Sequence, residues 1–257
     1  MGMIGDRMEC VTSRQNNAVQ HVKKLASNRK FRRETGEFLC EGPKMWAEAM
    51  EHGWVVSTLL TSEEDLLRRY EGIPARSVLV TEELLSYAAD TETPQKMIFT
   101  CRIPEQAEGL KGERFLVLDG VQDPGNVGTI WRTADAFGAD GLILLPGCAD
   151  PWSPKVVRAT MGACFRLPVL TCELEELLPL LEQQEIPLYA TALREDTLDI
   201  RNAGLSRAAV VIGSEGRGVS SNVLERCEHT IKIPMRERCE SLNAAMAAGI
   251  VLWEAWR

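Results

Sequence analysis

Three stretches in the second half of this 257-residue chain gather the residue types that handle anions, hydroxyls and reactive groups. The first, residues 119–140 (DGVQDPGNVGTIWRTADAFGAD), turns at Asp-Pro-Gly, sets Asn126 at the mouth of a helix and carries Arg132 nearly two turns further on. The second, 212–220 (IGSEGRGVS), holds the Glu215 carboxylate inside a run of glycines. The third, 233–250 (IPMRERCESLNAAMAAGI), leads through Met235, Ser241 and Asn243 into an alanine-rich helix. Amides and carboxylates fix hydroxyls and each other by hydrogen bonds, a guanidinium grips phosphate with two parallel donors, and glycine lets backbone approach a ligand closely.

Other chemistries fit these stretches less well. GSEGRG reads G-x-x-G-x-G, not the G-x-G-x-x-G of dinucleotide sites, and Gly120 to Gly125 has Walker spacing but runs on into Asn126 and Val127 where Lys and Ser or Thr belong. The eight cysteines form no C-x-x-C pair or Cys/His cluster, and the three histidines (His21, His52, His229) are scattered, so neither a bound metal nor a disulfide framework is expected. No apolar run approaches the roughly 18 residues of a membrane span, and the first ten residues lack the apolar core of a secretory signal. A soluble, cytoplasmic protein is expected.

The elements that must position these loops come next. In the second half, apolar runs at 115–120, 141–145, 187–193, 208–213 and 229–234 alternate with helical segments. Unbroken apolar runs, rather than alternation, mark strands covered on both faces, and hence a parallel sheet between helices. In such sheets ligands gather beyond the carboxyl ends of the strands, where the three stretches lie. The first half repeats a strand-then-helix rhythm (FLCEG and MWAEAMEHG, WVVSTLL and SEEDLLRRY, VLVTEELLSYAA), a second and smaller α/β domain. The expected domains are 1–108 and 114–257. Trp253 and Trp256, three apart on the last helix, read as core or dimer-interface anchors.

The order and spacing of the three stretches resemble the SpoU/TrmH family of SPOUT RNA 2'-O-ribose methyltransferases over essentially all of 114–257. The resemblance rests on Asn126-Val-Gly128-Thr-Ile-Trp-Arg132, on Ile212-Gly213-Ser-Glu215-Gly216-Arg-Gly218, and on Ile233-Pro234-Met235 followed by Glu240-Ser241-Leu242-Asn243. Residues 13–42 are similar to the family's ribosomal-protein-like N-terminal RNA-binding domain. The resemblance implies an α/β fold whose C-terminal parallel sheet closes a deep trefoil knot, a rare exception to the rule that chains stay unthreaded. It also implies S-adenosylmethionine as cofactor and a homodimer. Cofactor contacts are implied for Thr191, Ala192, Gly213, Glu215, Gly216, Ile233, Met235, Leu242 and Ala245. Catalytic roles are implied for Arg132, Asn126, Glu215, Ser241 and Asn243. A guanidinium holds its proton far above neutral pH, so Arg132 is read as a phosphate clamp and orienter in preference to a general base, the role also argued for the family.

A formal net charge of −8 argues at first against an anionic partner. Residues 1–112 carry 15 basic and 17 acidic side chains and 113–257 carry 14 and 20, yet Arg7 to Arg33 holds eight basic residues against Glu9 alone. That segment, with Arg14, Lys23, Lys24, Arg29, Lys30 and Arg32, is the expected RNA-binding surface. Structured RNA is the expected substrate. Ribosomal RNA, 23S in particular, is favoured because the extra domain is N-terminal and the chain stops directly after the last helix. The alternatives are a transfer-RNA 2'-O-methyltransferase and a catalytically silent RNA-binding or ribosome-assembly homologue.

Overall fold

The computed structural model describes residues 9–91, 93–105, 109–194, 197–236 and 241–256. The chain forms two compact units: Met1–Glu105 with Trp152–Arg158, and Gln106–Pro151 with Ala159–Arg257. Among the described residues no helix is long and apolar enough to cross a membrane.

The first unit is built on β1 (Glu9–Val11), β2 (Glu37–Glu41), β3 (Val56–Thr61), β4 (Arg76–Val80) and β5 (Met97–Arg102), with α1 (Asn17–Ser27), α2 (Arg29–Thr35), α3 (Pro43–Glu51), α4 (Glu64–Arg69) and α5 (Glu82–Ala88). The sheet order is β1-β4-β3-β5-β2, parallel at β1/β4 and β3/β4 and antiparallel on both sides of β5. Adjacent residues of β5 point to opposite faces. Ile98 joins the cluster formed with Val19 and Val22 of α1 and Leu84 and Leu85 of α5, whereas Phe99 meets the ring of Trp46 on α3 at 5.2 Å. Helices therefore cover both faces. Strand β5, an interior strand of this sheet, and the short β1 are elements that sequence patterning does not reveal. The segment Trp152–Arg158, expected with the second half, packs here: the Trp152 ring lies 4.6 Å from Phe38 and 6.1 Å from Trp54.

Helices α1 and α2 are set by asparagines. Asn16 caps α1 by accepting from Ala18 N at 2.8 Å, and Asn28 both ends α1 and caps α2 by accepting from Phe31 N at 3.0 Å. Gly36, at φ +63°, closes α2 in the left-handed conformation that glycine adopts without strain. The side chain of His21 is engaged locally: its Nε2 lies 2.8 Å from Glu37 Oε2, and its ring meets Phe31 edge-on. Burial pushes the Glu37 carboxyl up, but hydrogen bonding led by His21 outweighs it and holds that group below the ordinary carboxylate range.

The expectation for Arg32 is corrected here. Its side chain turns inward, is only 5% exposed, and donates to the Leu25 carbonyl at 2.6 Å, so it ties α2 to the end of α1 and is withdrawn from any phosphate. Its neighbour Arg33 is exposed, as are Lys24, Arg29 and Lys30.

The second unit comprises β6 (Arg114–Asp119), α6 (Pro124–Ala136), β7 (Gly141–Leu144), β8 (Val169–Thr171), α8 (Leu174–Gln183), β9 (Leu188–Thr191), β10 (Leu198–Asp199), β11 (Ala208–Gly213), α9 (Ser221–Arg226), β12 (His229–Lys232) and α10 (Ala244–Trp256), while α7 (Pro154–Thr160) lies mostly in the segment that joins the first unit. The seven strands run in the order β10-β12-β9-β11-β6-β7-β8, every pairing parallel. β11 enters between β6 and β9, and β12 between β9 and β10, after the flanking strands are already in place along the chain. One core cluster packs Phe115, Val117, Val211 and Ala190 of the sheet against Leu174, Leu177 and Leu181 of α8 and Val223 of α9. Helices α6 and α10 pack on each other: a Cβ at Gly249 would sit 3.9 Å from Thr133 Cγ2, and the Phe137 and Trp253 rings meet at 5.9 Å. The two tryptophans part company. Trp256 is buried and donates Nε1 to the Leu205 carbonyl at 2.9 Å, whereas Trp253 is 54% exposed.

Arg32→Ala leaves the Leu25 carbonyl without its buried donor, and should lower unfolding free energy by about 2 kcal/mol. Arg33→Ala, at an exposed position, should change it by less than about 0.5 kcal/mol. Urea denaturation of the two variants checks the contrast; equal effects would return Arg32 to the surface.

Candidate active site

The loops that leave β6, β9, β11 and β12 emerge at the carboxyl edge of four strands that are neighbours in the sheet, so stretches far apart in sequence share one edge. Asp-Pro-Gly is not a separate turn but the start of α6. Asp123 is the N-cap, its Oδ1 accepting from Asn126 N at 2.8 Å, and Pro124 opens the first turn, where its missing N–H costs nothing. Asp followed by Pro is an N-terminus signature, which the expected turn overlooked.

With α6 started there, the half-buried side chain of Asn126 joins the three stretches. Its Nδ2 donates to Glu215 Oε1 on the β11 loop, and its Oδ1 accepts from Asn243 Nδ2 at 3.1 Å. Asn243 in turn caps α10, its Oδ1 accepting from Ala245 N at 2.9 Å and Met246 N at 3.3 Å. An amide is suited to this place, since it donates to a carboxylate with one end and accepts from a second amide with the other.

The β11 loop is shaped by close backbone approach. At Gly213 a Cβ would lie 2.1 Å from Gly218 C and 2.2 Å from Val219 N, so no side chain fits. Beyond it, Ser214 and Gly218 exchange both backbone hydrogen bonds, Ser214 N to Gly218 O at 3.0 Å and Gly218 N to Ser214 O at 2.9 Å. Gly216 is different: a Cβ there would meet nothing within 4 Å. On β9, Thr191 donates Oγ1 to the Val211 carbonyl at 2.8 Å, and Ala192 N donates to Ile231 O at 3.0 Å, which binds the β9 exit to the strands on both sides. Ile233 and Met235 follow β12 directly, and Leu242 and Ala245 flank Asn243, all four half-buried. Glu240 lies outside the described residues.

Not every expected site residue joins this network. Arg132 lies six residues beyond Asn126, about 120° around the helix axis. Its side chain is exposed and makes no hydrogen bond or ion pair among the described residues. Ser241 is likewise exposed. Of the expected RNA-contacting residues, Arg14 pairs with Glu83 at 2.6 Å and lies over the Tyr87 ring, as does Lys23, while Lys24 lies over Phe31 and Lys30 is 3.6 Å from Glu34.

Cys148, on the loop after β7, bears on the type of reaction. Burial, with the carboxylates of Asp119 and Glu215 adding to it, pushes the thiol up to about 11, and Sγ lies 3.3 Å from the Leu118 carbonyl. A thiol so fully protonated is a poor nucleophile, which disfavours covalent attack on a base ring. Among the described residues no group of His, Cys, Asp and Glu could hold a metal ion.

Comparison with known proteins bears on the same loops. The family model described as the SpoU rRNA Methylase family matches residues 113–253, and an MRM3-like substrate binding domain matches 16–98. The chain is 32% identical over 246 residues to the 23S rRNA (guanosine(2553)-2'-O)-methyltransferase RlmP of Bacillus subtilis, covering 96% of this chain and 98% of that protein. The AdoMet-bound rRNA methyltransferase of Sinorhizobium meliloti superposes with a TM-score of 0.85 at 32% identity, over 96% of this chain and 97% of the other. The SpoU methyltransferase AviRb of Streptomyces viridochromogenes, in complex with AdoMet, gives 0.86 at 30% identity over 95% and 98%. With its sheet, its three loops and nearly its whole length matched, the chain belongs to the SpoU rRNA methylase family.

Proposed function

We propose that this protein transfers a methyl group from S-adenosylmethionine to a ribose 2'-hydroxyl of structured RNA, with 23S ribosomal RNA as the substrate. The observation that carries this is the side chain of Asn126, which bonds Glu215 and Asn243 and so draws three strand-exit loops into one site. Residues 1 to about 108 hold the RNA, and 114–257 carry out the transfer in the cytoplasm. The family's trefoil knot is proposed for the second unit, supported by the late entry of β11 and β12 between strands already placed.

The residues at the exits of β9, β11 and β12 fit the cofactor. Thr191, Ala192, Gly213, Gly216, Ile233, Met235, Leu242 and Ala245 offer backbone groups and small or apolar side chains, suited to an adenine and a sulfonium that need close approach and few fixed charges. Among the described residues nothing demands a glycine at 216, where a Cβ would meet nothing within 4 Å; a ligand there supplies the reason. When bound, the cofactor supplies an electrophilic methyl group.

The chain's own task is to present the ribose oxygen in line with that methyl, at about 3 Å, and to ease loss of its proton. Arg132, exposed and without an intramolecular partner among the described residues, is free to clamp the phosphate beside the target nucleotide, whose oxygens then assist the proton's departure. Asn126, Glu215 and Asn243 fix the loops around it, and Ser241 adds a hydroxyl donor at the rim. A 2'-hydroxyl target also distinguishes RNA from DNA. RNA is gathered by Lys23, Lys24, Arg29, Lys30 and Arg33, with Arg33 taking the place expected of Arg32.

The protein works as a homodimer, a reading supported by α10. One face of that helix is buried through Ala244, Ala248, Val251, Leu252 and Trp256, yet a second apolar stripe stays open: Met246 at 62%, Ile250 at 36% and Trp253 at 54% exposure, spaced by four and three residues. A continuous apolar stripe on a soluble protein marks a contact surface.

Incubation with labelled S-adenosylmethionine should transfer label to 23S ribosomal RNA, with the modified position resisting alkaline cleavage. Label on transfer RNA alone would move the substrate, and no transfer to either would leave a silent RNA-binding homologue. Arg132→Ala should reduce transfer at least a hundredfold, the scale of losing a preorganised charged group, with cofactor affinity little changed; a variant with most of its turnover would remove Arg132 from the mechanism. Replacing Lys23, Lys24, Arg29 and Lys30 with Ala should weaken RNA binding and flatten the log–log salt slope by up to about 3 to 4, while an unchanged slope would reduce the segment to a solvated face. Trp253→Glu should give a folded monomer by light scattering, and a persistent dimer would place pairing elsewhere.

A further inference from the structure

The β11 loop carries Glu215 and Gly216, and something must hold it in the one shape that lets Glu215 reach Asn126. Its own hydrogen bonds are the reciprocal pair between Ser214 and Gly218 and a contact from Arg217 N to Ser214 Oγ at 3.3 Å. These close the loop on itself but do not anchor it to the sheet. The anchor is Asp119, the last residue of the neighbouring strand β6. Its backbone stands in register with Gly213, where the loop begins, and its side-chain Oδ2 accepts from Ser220 N, where the loop ends, at 2.6 Å. One residue thus holds both feet of the six-residue excursion. A hydrogen bond to a charged carboxylate is stronger and shorter than one between neutral groups, and Ser220 N belongs to the N-cap of α9, where no helical acceptor serves it.

We propose that Asp119 is a positioning residue: it latches the 214–219 loop to β6 so that Gly213 and Gly216 face the cofactor and Glu215 meets Asn126. This deepens the methyltransferase reading and rests on it. In this role Asp119 acts through the backbone of Ser220. In the sequence it is a polar residue closing an apolar strand, easily passed over as the start of a turn.

The test uses three variants of the full chain. Asp119→Ala removes the acceptor. Ser220→Pro breaks the latch from the other side: it removes the donor N–H and sets its ring against the carboxylate, while φ −64° is within proline's range and the lost hydroxyl makes no cap hydrogen bond. Asp119→Asn keeps an oxygen that can accept. Two quantities are read: hydrogen exchange at the amides of Ser214 and Gly218, and the dissociation constant for S-adenosylmethionine by calorimetry. Asp119→Ala and Ser220→Pro should each speed exchange and weaken cofactor binding by about tenfold or more, as expected for losing a hydrogen bond to a charged group, with Asp119→Asn, which keeps the acceptor but not its charge, falling between them and the parent.

A merely stabilising carboxylate would lower the melting temperature and leave cofactor affinity, measured well below it, unmoved. Affinity within about twofold of the parent in both Asp119→Ala and Ser220→Pro would overturn the proposal, as would loss of affinity without faster exchange. If Asp119→Ala does not fold, Ser220→Pro and Asp119→Asn carry the same decision. A parent protein that fails to bind S-adenosylmethionine would sink the methyltransferase reading instead, and the exchange rates would still decide whether the latch exists.

Discussion

The site depends on one amide. Asn126 is the side chain at which α6, the β11 loop and the start of α10 meet, and each of those elements is fixed on its far side by the fold. Asp123 pins the beginning of α6, the crowding at Gly213 pins the β11 loop, and Asn243 is itself the cap of α10. An apolar residue at 126 would pack but could not report one loop's position to another. A carboxylate there would face Glu215 with like charge. The amide is the side chain of this size that donates in one direction and accepts in the other. The parallel sheet serves this junction by bringing four strand exits to one edge, which no local stretch of chain could do.

Much of this was legible in the sequence because buried parallel strands announce themselves. The runs at 115–118 and 208–212 are apolar on consecutive residues, and each is part of a strand within a residue or two of that span, whereas β12 at 229–232 carries a weaker signal, Ile231 between Thr230 and Lys232. The glycines and amides that follow them stand at spacings that few functions require. Other features left no such trace. β8 and β10 are edge strands of three and two residues, half-exposed, too short for any periodicity to register. The packing of Trp152 among Phe38 and Trp54 is a long-range contact written in no local pattern.

Arg32 marks the limit of charge counting. A run of cations on two short helices reads as a single basic face, but helices have an inside, and of the seven residues of α2 it is Arg32 that is buried there. Its burial is tolerated because the guanidinium satisfies a carbonyl left open at the end of α1. The same principle separates the two tryptophans of α10, identical in composition and three residues apart, one completing the core and the other left at the surface.

The cations of α1 and α2 belong to a chain whose remaining charge is strongly negative, and that contrast acts before any contact is made. In the field of a polyanion the basic helices are attracted while the acidic residues are repelled, so any pull is local to α1 and α2 and does not extend to the chain as a whole. Added salt, by shortening the reach of the field to about 10 Å at 0.1 M, weakens both effects together.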